Sequence, residues 1–148
     1  MRLGPGGGLS LSDIWSGLAL SKARCVVLGA CESGLTRAQI GSEYAGFAGA
    51  FFSAGARAVV GSLWEVNQLA TAVLLADCLG RIGAGEDVPG ALSAAQRALR
   101  TTTRDALIQW IADYLPELQP TLNVAMAEMP ACPFAHPDDW AGFFAAGC

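Results

Sequence analysis

Arg24 to Gly34 reads R-C-V-V-L-G-A-C-E-S-G, and Ala56 to Ser62 reads A-R-A-V-V-G-S. The apolar part of the first stretch, Arg24 to Ala30, does not alternate with polar residues. An unbroken β-branched run of this kind is the signature of a strand buried on both faces, as in a parallel sheet. The second stretch is a shorter run of the same type. Between them, Ser42 opens a pattern through Tyr44, Phe47, Ala48, Phe51 and Phe52 that repeats at helical spacing and stops at Gly55. Glycine is the residue most often found just past a helix end. Strand, helix and strand make a βαβ unit with two parallel neighbouring strands, whose crossover is expected to be right-handed.

Upstream, residues 1–9 are glycine-rich and are expected to form a flexible loop. Ser10 and Asp13 then stand three apart ahead of Ile14, Trp15 and Leu18, a capping-box arrangement that predicts a short helix from Leu11 to Leu20. Downstream, Asn67 to Ile82 carries Leu69, Val73, Leu74, Cys78 and Leu79 on one face. Val88 to Thr101 is the next predicted helix, with Pro89 tolerated in its first turn. Arg104 to Leu115 follows, until Pro116 and Pro120 interrupt the pattern. The closing H-P-D-D-W-A-G-F-F-A-A-G-C reads as a compact apolar tail. Two strands followed by three helices leave much helical surface for little sheet. A two-stranded parallel sheet is marginal alone and leaves an edge open to pairing. The expected class is therefore α/β, as one domain or part of one, incomplete on its N-terminal side.

The 148 residues are 53% hydrophobic and 15% charged, enough for one sizeable core. Nine basic against thirteen acidic residues give a net charge of -4, and the Lys and Arg are scattered. This speaks against nucleic acid as a partner. The most apolar stretch, Phe47 to Trp64, is interrupted by Ser53, Arg57, Ser62 and glycines, so no membrane span is expected. The N-terminus lacks a signal-peptide pattern, and a cytoplasmic location follows as the expectation. Cys25, Cys31, Cys78, Cys132 and Cys148 are odd in number, and no two have C-x-x-C spacing. No metal and no cofactor are expected, and free thiols suit a reducing compartment.

In open parallel sheets the reactive site lies beyond the carboxyl ends of the strands. The first strand delivers Ala30-Cys31-Glu32-Ser33-Gly34 there, which makes Cys31 the best-placed nucleophile. On position alone, Cys31 is equally read as an inert small residue at a strand end. Glu43, at a predicted helix start, suits the positive end of the helix dipole. Gly4 to Gly8 lacks the Lys-Ser/Thr of a phosphate-binding loop and follows no strand.

V-V-L-G-A-C-E-S-G is similar to the nucleophile strand of caspase-like peptidases, including the A-C-E-S-G form of legumains. Three further stretches narrow the resemblance to CHAT domains, of the clan that holds caspases, separases and legumains. Gly41 to Asn67, containing S-L-W-E-V, resembles the helix, strand and S-L-W-x-V signature of that family. Ala91, Leu92, Ala95 and Gln96 match A-L-x-x-A-Q, and His136, Pro137, Trp140, Ala141 and Phe143 match the closing H-P-x-x-W-A-x-F. The resemblance spans about Leu9 to Gly147 and fits the C-terminal portion of such a domain.

The resemblance implies a three-layer α/β/α sandwich with a mostly parallel sheet, and a cysteine endopeptidase with Cys31 as nucleophile. It places Ser62 to Asn67 beside a substrate groove, with Ser62, Trp64 and Asn67 as candidate substrate-binding residues. Trp64 is also readable as core. The family's general base is a histidine on the strand before the nucleophile strand, whereas the single histidine here is His136. His136 is instead expected to pack or cap the tail. The chain alone is then expected to be inactive, with the histidine coming from an N-terminal half or another polypeptide. The alternative is a non-catalytic scaffold or interaction module. Expected partners are a peptide or protein substrate and a tetratricopeptide-type helical-repeat region.

Overall fold

A computed structural model of the chain describes residues 9–28, 46–118 and 126–147. Their order is helix α1 (Leu11–Gly17), strand β1 (Val26–Val27), helix α2 (described over 46–53), strand β2 (Ala58–Ser62), helices α3 (Gln68–Gly83), α4 (Val88–Thr101) and α5 (Arg104–Tyr114), and strand β3 (Phe143–Gly147). Short 3-10 turns lie at Pro116–Leu118 and Pro137–Asp139.

The sheet runs β1-β2-β3, with β2 central. β1 and β2 are parallel, Val26 opposite Val59 and Val27 opposite Val60, and Leu28 N–H continues the ladder onto Val60 carbonyl at 2.8 Å. β3 returns antiparallel, with Phe143 opposite Ser62 and Gly147 opposite Ala58. The described sheet is therefore mixed, and the apolar tail contributes a full strand to it. Ala145, Ala146 and Gly147 are poor strand formers, so the tail gives no strand signal of its own. Pairing with β2 imposes the extended form.

Every residue of β2 is buried, and its side chains part by the period of two. Ala58 and Val60 enter one core with α3, α4 and α5; Val59 enters the other, with Ile14 of α1 and Phe51 of α2. Val27 and Val26 of β1 split in the same way. Helices thus cover both faces, giving the α/β three-layer arrangement that the unalternating apolar runs require. Full burial of Val59 and Val60 stabilises by about 1.5–3 kcal/mol each.

The helices begin and end where local chemistry dictates. Ser10 Oγ accepts from Asp13 N–H while the Asp13 carboxylate accepts from Ser10 N–H, closing the expected capping box. The helix stops at Gly17, short of Leu20, because Leu18 is already extended. α2 ends with Gly55 at φ +99°, Ala56 N–H bonding Phe51 carbonyl and Gly55 N–H bonding Phe52 carbonyl. That paired closure needs a left-handed residue, which glycine supplies. In α4, Val88, Ala91, Leu92, Ala95 and Leu99 form the buried stripe, and Asp87 caps the start through Gly90 N–H at 2.8 Å.

Candidate functional site at the carboxyl end of the sheet

Because β1 and β2 are parallel, their carboxyl ends share one edge of the sheet, and β3 starts at that same edge opposite Ser62. Leu28, which follows β1, is buried. Cys31, three positions further along the chain, lies outside the described residues, as do Glu32, Ser33, Ser42 and Glu43. What the structure describes at this edge is the segment that follows β2.

Ser62 is buried, and its hydroxyl donates to the carbonyl of Trp64, closing a tight turn two residues on. Leu63 N–H donates to Gly142 carbonyl at 2.9 Å. Trp64 is half-buried, its indole N–H reaching Asp138 carbonyl at 3.1 Å and its ring lying against Gly142. A Cβ on Gly142 would stand 2.7 Å from Trp64 Cε2. Glycine is required at this position because only it leaves space for the ring. Val66 is buried, and Asn67, exposed, caps α3 by accepting from Leu69 N–H at 2.9 Å and Ala70 N–H at 3.2 Å. The three candidate side chains are thus brought into one short segment, but each turns to a partner within the fold.

The tail is held against this segment from the other side. Gln96 of α4 donates from Nε2 to Trp140 carbonyl at 2.9 Å and Phe143 carbonyl at 3.0 Å, and Arg100 lies 5.9 Å from the Trp140 ring centre. His136 caps the 3-10 turn, its Nδ1 accepting from Asp138 N–H at 3.3 Å. This is the capping role expected of it; its side chain is 72% exposed. Asp139, beside it, has its carboxyl pushed up by partial burial, against a smaller downward pull from His136.

Two residues acquire importance only in three dimensions. Leu63 is 42% exposed at the tip of β2, between buried Ser62 and half-buried Trp64. Its signal in the sequence is the alternation through S-L-W, which turns the middle residue away from its neighbours. Gln96 links the A-L-x-x-A-Q helix to the H-P-x-x-W-A-x-F tail, and no spacing rule reveals a contact across more than forty residues.

Of the described thiols, Cys25 is half-buried and Cys78 is 1% exposed. Burial pushes both up, Cys78 to about 11 with a further push from neighbouring Cys25. Such thiols are poor nucleophiles at neutral pH. Among the described residues, no group of three or more His, Cys, Asp or Glu side chains is placed to hold a metal ion, and no helix is long and apolar enough to cross a membrane.

A family model for the CHAT domain matches residues 2–148. No curated protein and no solved structure matches the chain.

Proposed function

The chain belongs to the CHAT domain family, and from that premise we propose that it is the nucleophile-bearing part of a caspase-like cysteine endopeptidase, with Cys31 as the attacking thiol. The observation that carries this reading is the parallel pairing of β1 with β2. β1 ends at the edge where open α/β sheets keep their reactive groups, and Gly29-Ala30-Cys31 follows it in the sequence.

In the proposed reaction Cys31 Sγ bonds to the carbonyl carbon of a substrate peptide while its proton passes to an imidazole. Backbone N–H groups after the strand receive the oxyanion. The imidazole then protonates the leaving amine, and water attacks the resulting thioester to release the acid and restore the thiol. The chain's one histidine, His136, is committed to a cap in the tail. The catalytic imidazole is therefore assigned to a polypeptide or segment outside these residues. Segment 62–67 forms the substrate-facing rim: Ser62, Trp64 and Asn67 hold its shape, and its backbone meets an extended peptide. A helical-repeat partner of the tetratricopeptide type fits as the gate, and the cytoplasm as the setting.

A second reading, a non-catalytic caspase-like scaffold, is favoured by the engagement of the single histidine as a cap. The two are separated by reacting the purified chain with a small thiol-directed probe across pH and mapping the labelled cysteines. A preformed oxyanion site lowers the Cys31 thiol, so Cys31 is expected to react well below an ordinary thiol pKa of about 8.5. Cleavage of a peptide library is expected only once a histidine-bearing partner is added, and Cys31→Ala should abolish it. If Cys31 labels no faster than Cys132, the scaffold reading replaces this one.

A further inference from the structure

On the face of the molecule that carries α3, α4 and α5, those three helices enclose an open cleft of about 640 Å³. It lies outside the segment assigned to peptide binding, and its volume falls within the roughly 300–1,000 Å³ usual for small-molecule sites. Its floor is apolar, with Leu74, Leu99 and Leu107 buried, and small residues of α3 and α4 keep it open.

Two features of its wall define what it takes. Trp110 and Tyr114, one turn apart on α5, stand with ring centres 5.2 Å apart and tilted by 31°. Tyr114 is 68% exposed although it lines the cleft. Trp110 is half-buried against the core, and with the exposed Tyr114 it sets aromatic surface beside an apolar floor, which suits a cation. The charged side chains lining the cleft, among the described residues, are Asp77, Arg81 and Glu86. Arg81 Nε donates to both Asp77 oxygens, at 3.0 and 3.1 Å, and Arg81 Nη1 to Glu86 at 3.4 Å. Two carboxylates thus face one guanidinium, and that guanidinium is already engaged by both. The wall is left with an excess of negative charge.

We propose that this cleft binds a small organic cation with an apolar body, such as an aromatic amine. The body fills the floor, the ammonium lies against the Trp110 and Tyr114 rings, and the unbalanced carboxylate charge favours cations over anions of the same shape.

The test is titration of the full chain with three probes of one shape, phenylpropylamine, phenylpropanol and phenylpropanoate, followed by backbone amide NMR. Phenylpropylamine should give saturable shifts in α3 and α5, weakened by added salt, and bind more tightly than either analogue. Tyr114→Ala removes an exposed ring and should weaken it about two- to fivefold. Asp77→Asn combined with Glu86→Gln should weaken it by about fivefold or more, with the amide spectrum away from the cleft reporting that the fold persists. Equal binding of the alcohol or the acid overturns the proposal. So do amine shifts that map elsewhere, the absence of any saturable shift, and an affinity indifferent to these substitutions.

Discussion

The indole N–H of Trp64 donates to the backbone carbonyl of Asp138 at 3.1 Å, across 74 positions of the chain. This bond joins the segment after β2 to the turn that precedes β3, and the Trp64 ring fills the space above Gly142. The aromatic residue therefore clamps the carboxyl edge of the sheet, and its burial and its hydrogen bond serve the same contact.

The clamp makes Gly142→Ala a sensitive probe. The new methyl would meet the Trp64 ring at 2.7 Å, and overpacking of this kind costs about 1–3 kcal/mol. In a Trp64→Leu background the clash partner is gone, so the alanine should then cost much less. Urea unfolding of the four proteins of this cycle gives the coupling directly. Additive losses would show that the ring does not occupy that space.

Gln96 is expected to hold the tail rather than the core. Replacing it with Leu keeps the size but removes the side-chain donor to the Phe143 carbonyl and leaves the Trp140 carbonyl with only its long bond from Phe143 N–H, at 3.5 Å, at about 1–3 kcal/mol for a buried carbonyl left unsatisfied. Amide hydrogen exchange should speed up in β3 while α3 and the β1-β2 pair keep their protection. Uniform loss of protection would instead mean that the tail unfolds only with the whole molecule.

How much of this was legible follows from the range over which each feature is determined. Strand β2 and the limits of α4 are written locally, in an unbroken apolar run and in Asp87, Pro89 and the spacing of Val88, Leu92 and Leu99. The capping box at Ser10 is equally local. β3 was not legible, since F-F-A-A-G becomes a strand only because β2 offers an open edge. At the site, the sequence singles out Ser62, Trp64 and Asn67, while their partners at Trp64, Asp138 and Leu69 depend on the path of the tail and the start of α3. Cys31 is singled out by its motif alone, and lies outside the described residues.

Asn67 caps α3, which predicts a stability effect separable from any role in substrate choice. Asn67→Ala leaves Leu69 N–H and Ala70 N–H without the side-chain acceptor, and loss of such a cap costs about 1 kcal/mol. Asn67→Asp retains the acceptor and adds charge that suits the helix N-terminus, so its unfolding midpoint should match or exceed that of the parent. Equal midpoints for the alanine variant and the parent would remove the cap from the account of the segment's shape.

Cys78 sets a limit on stability at high pH. Burial, with a smaller contribution from Cys25, raises its folded pKa from the ordinary 9.0 to about 11. The folded state therefore favours the protonated thiol, whereas the unfolded chain ionises near the ordinary value. Below 9.0 both states hold the proton, and stability is unaffected by this group. As pH rises towards about 11 the unfolded state releases its proton first, so stability falls across that interval. Cys78→Ala removes the titration at the cost of a small cavity. Its stability should begin lower than that of the parent near neutral pH and decline less steeply above 9.0, so that the two curves converge. Parallel curves for parent and variant in urea unfolding over this range would place the alkaline loss on another group.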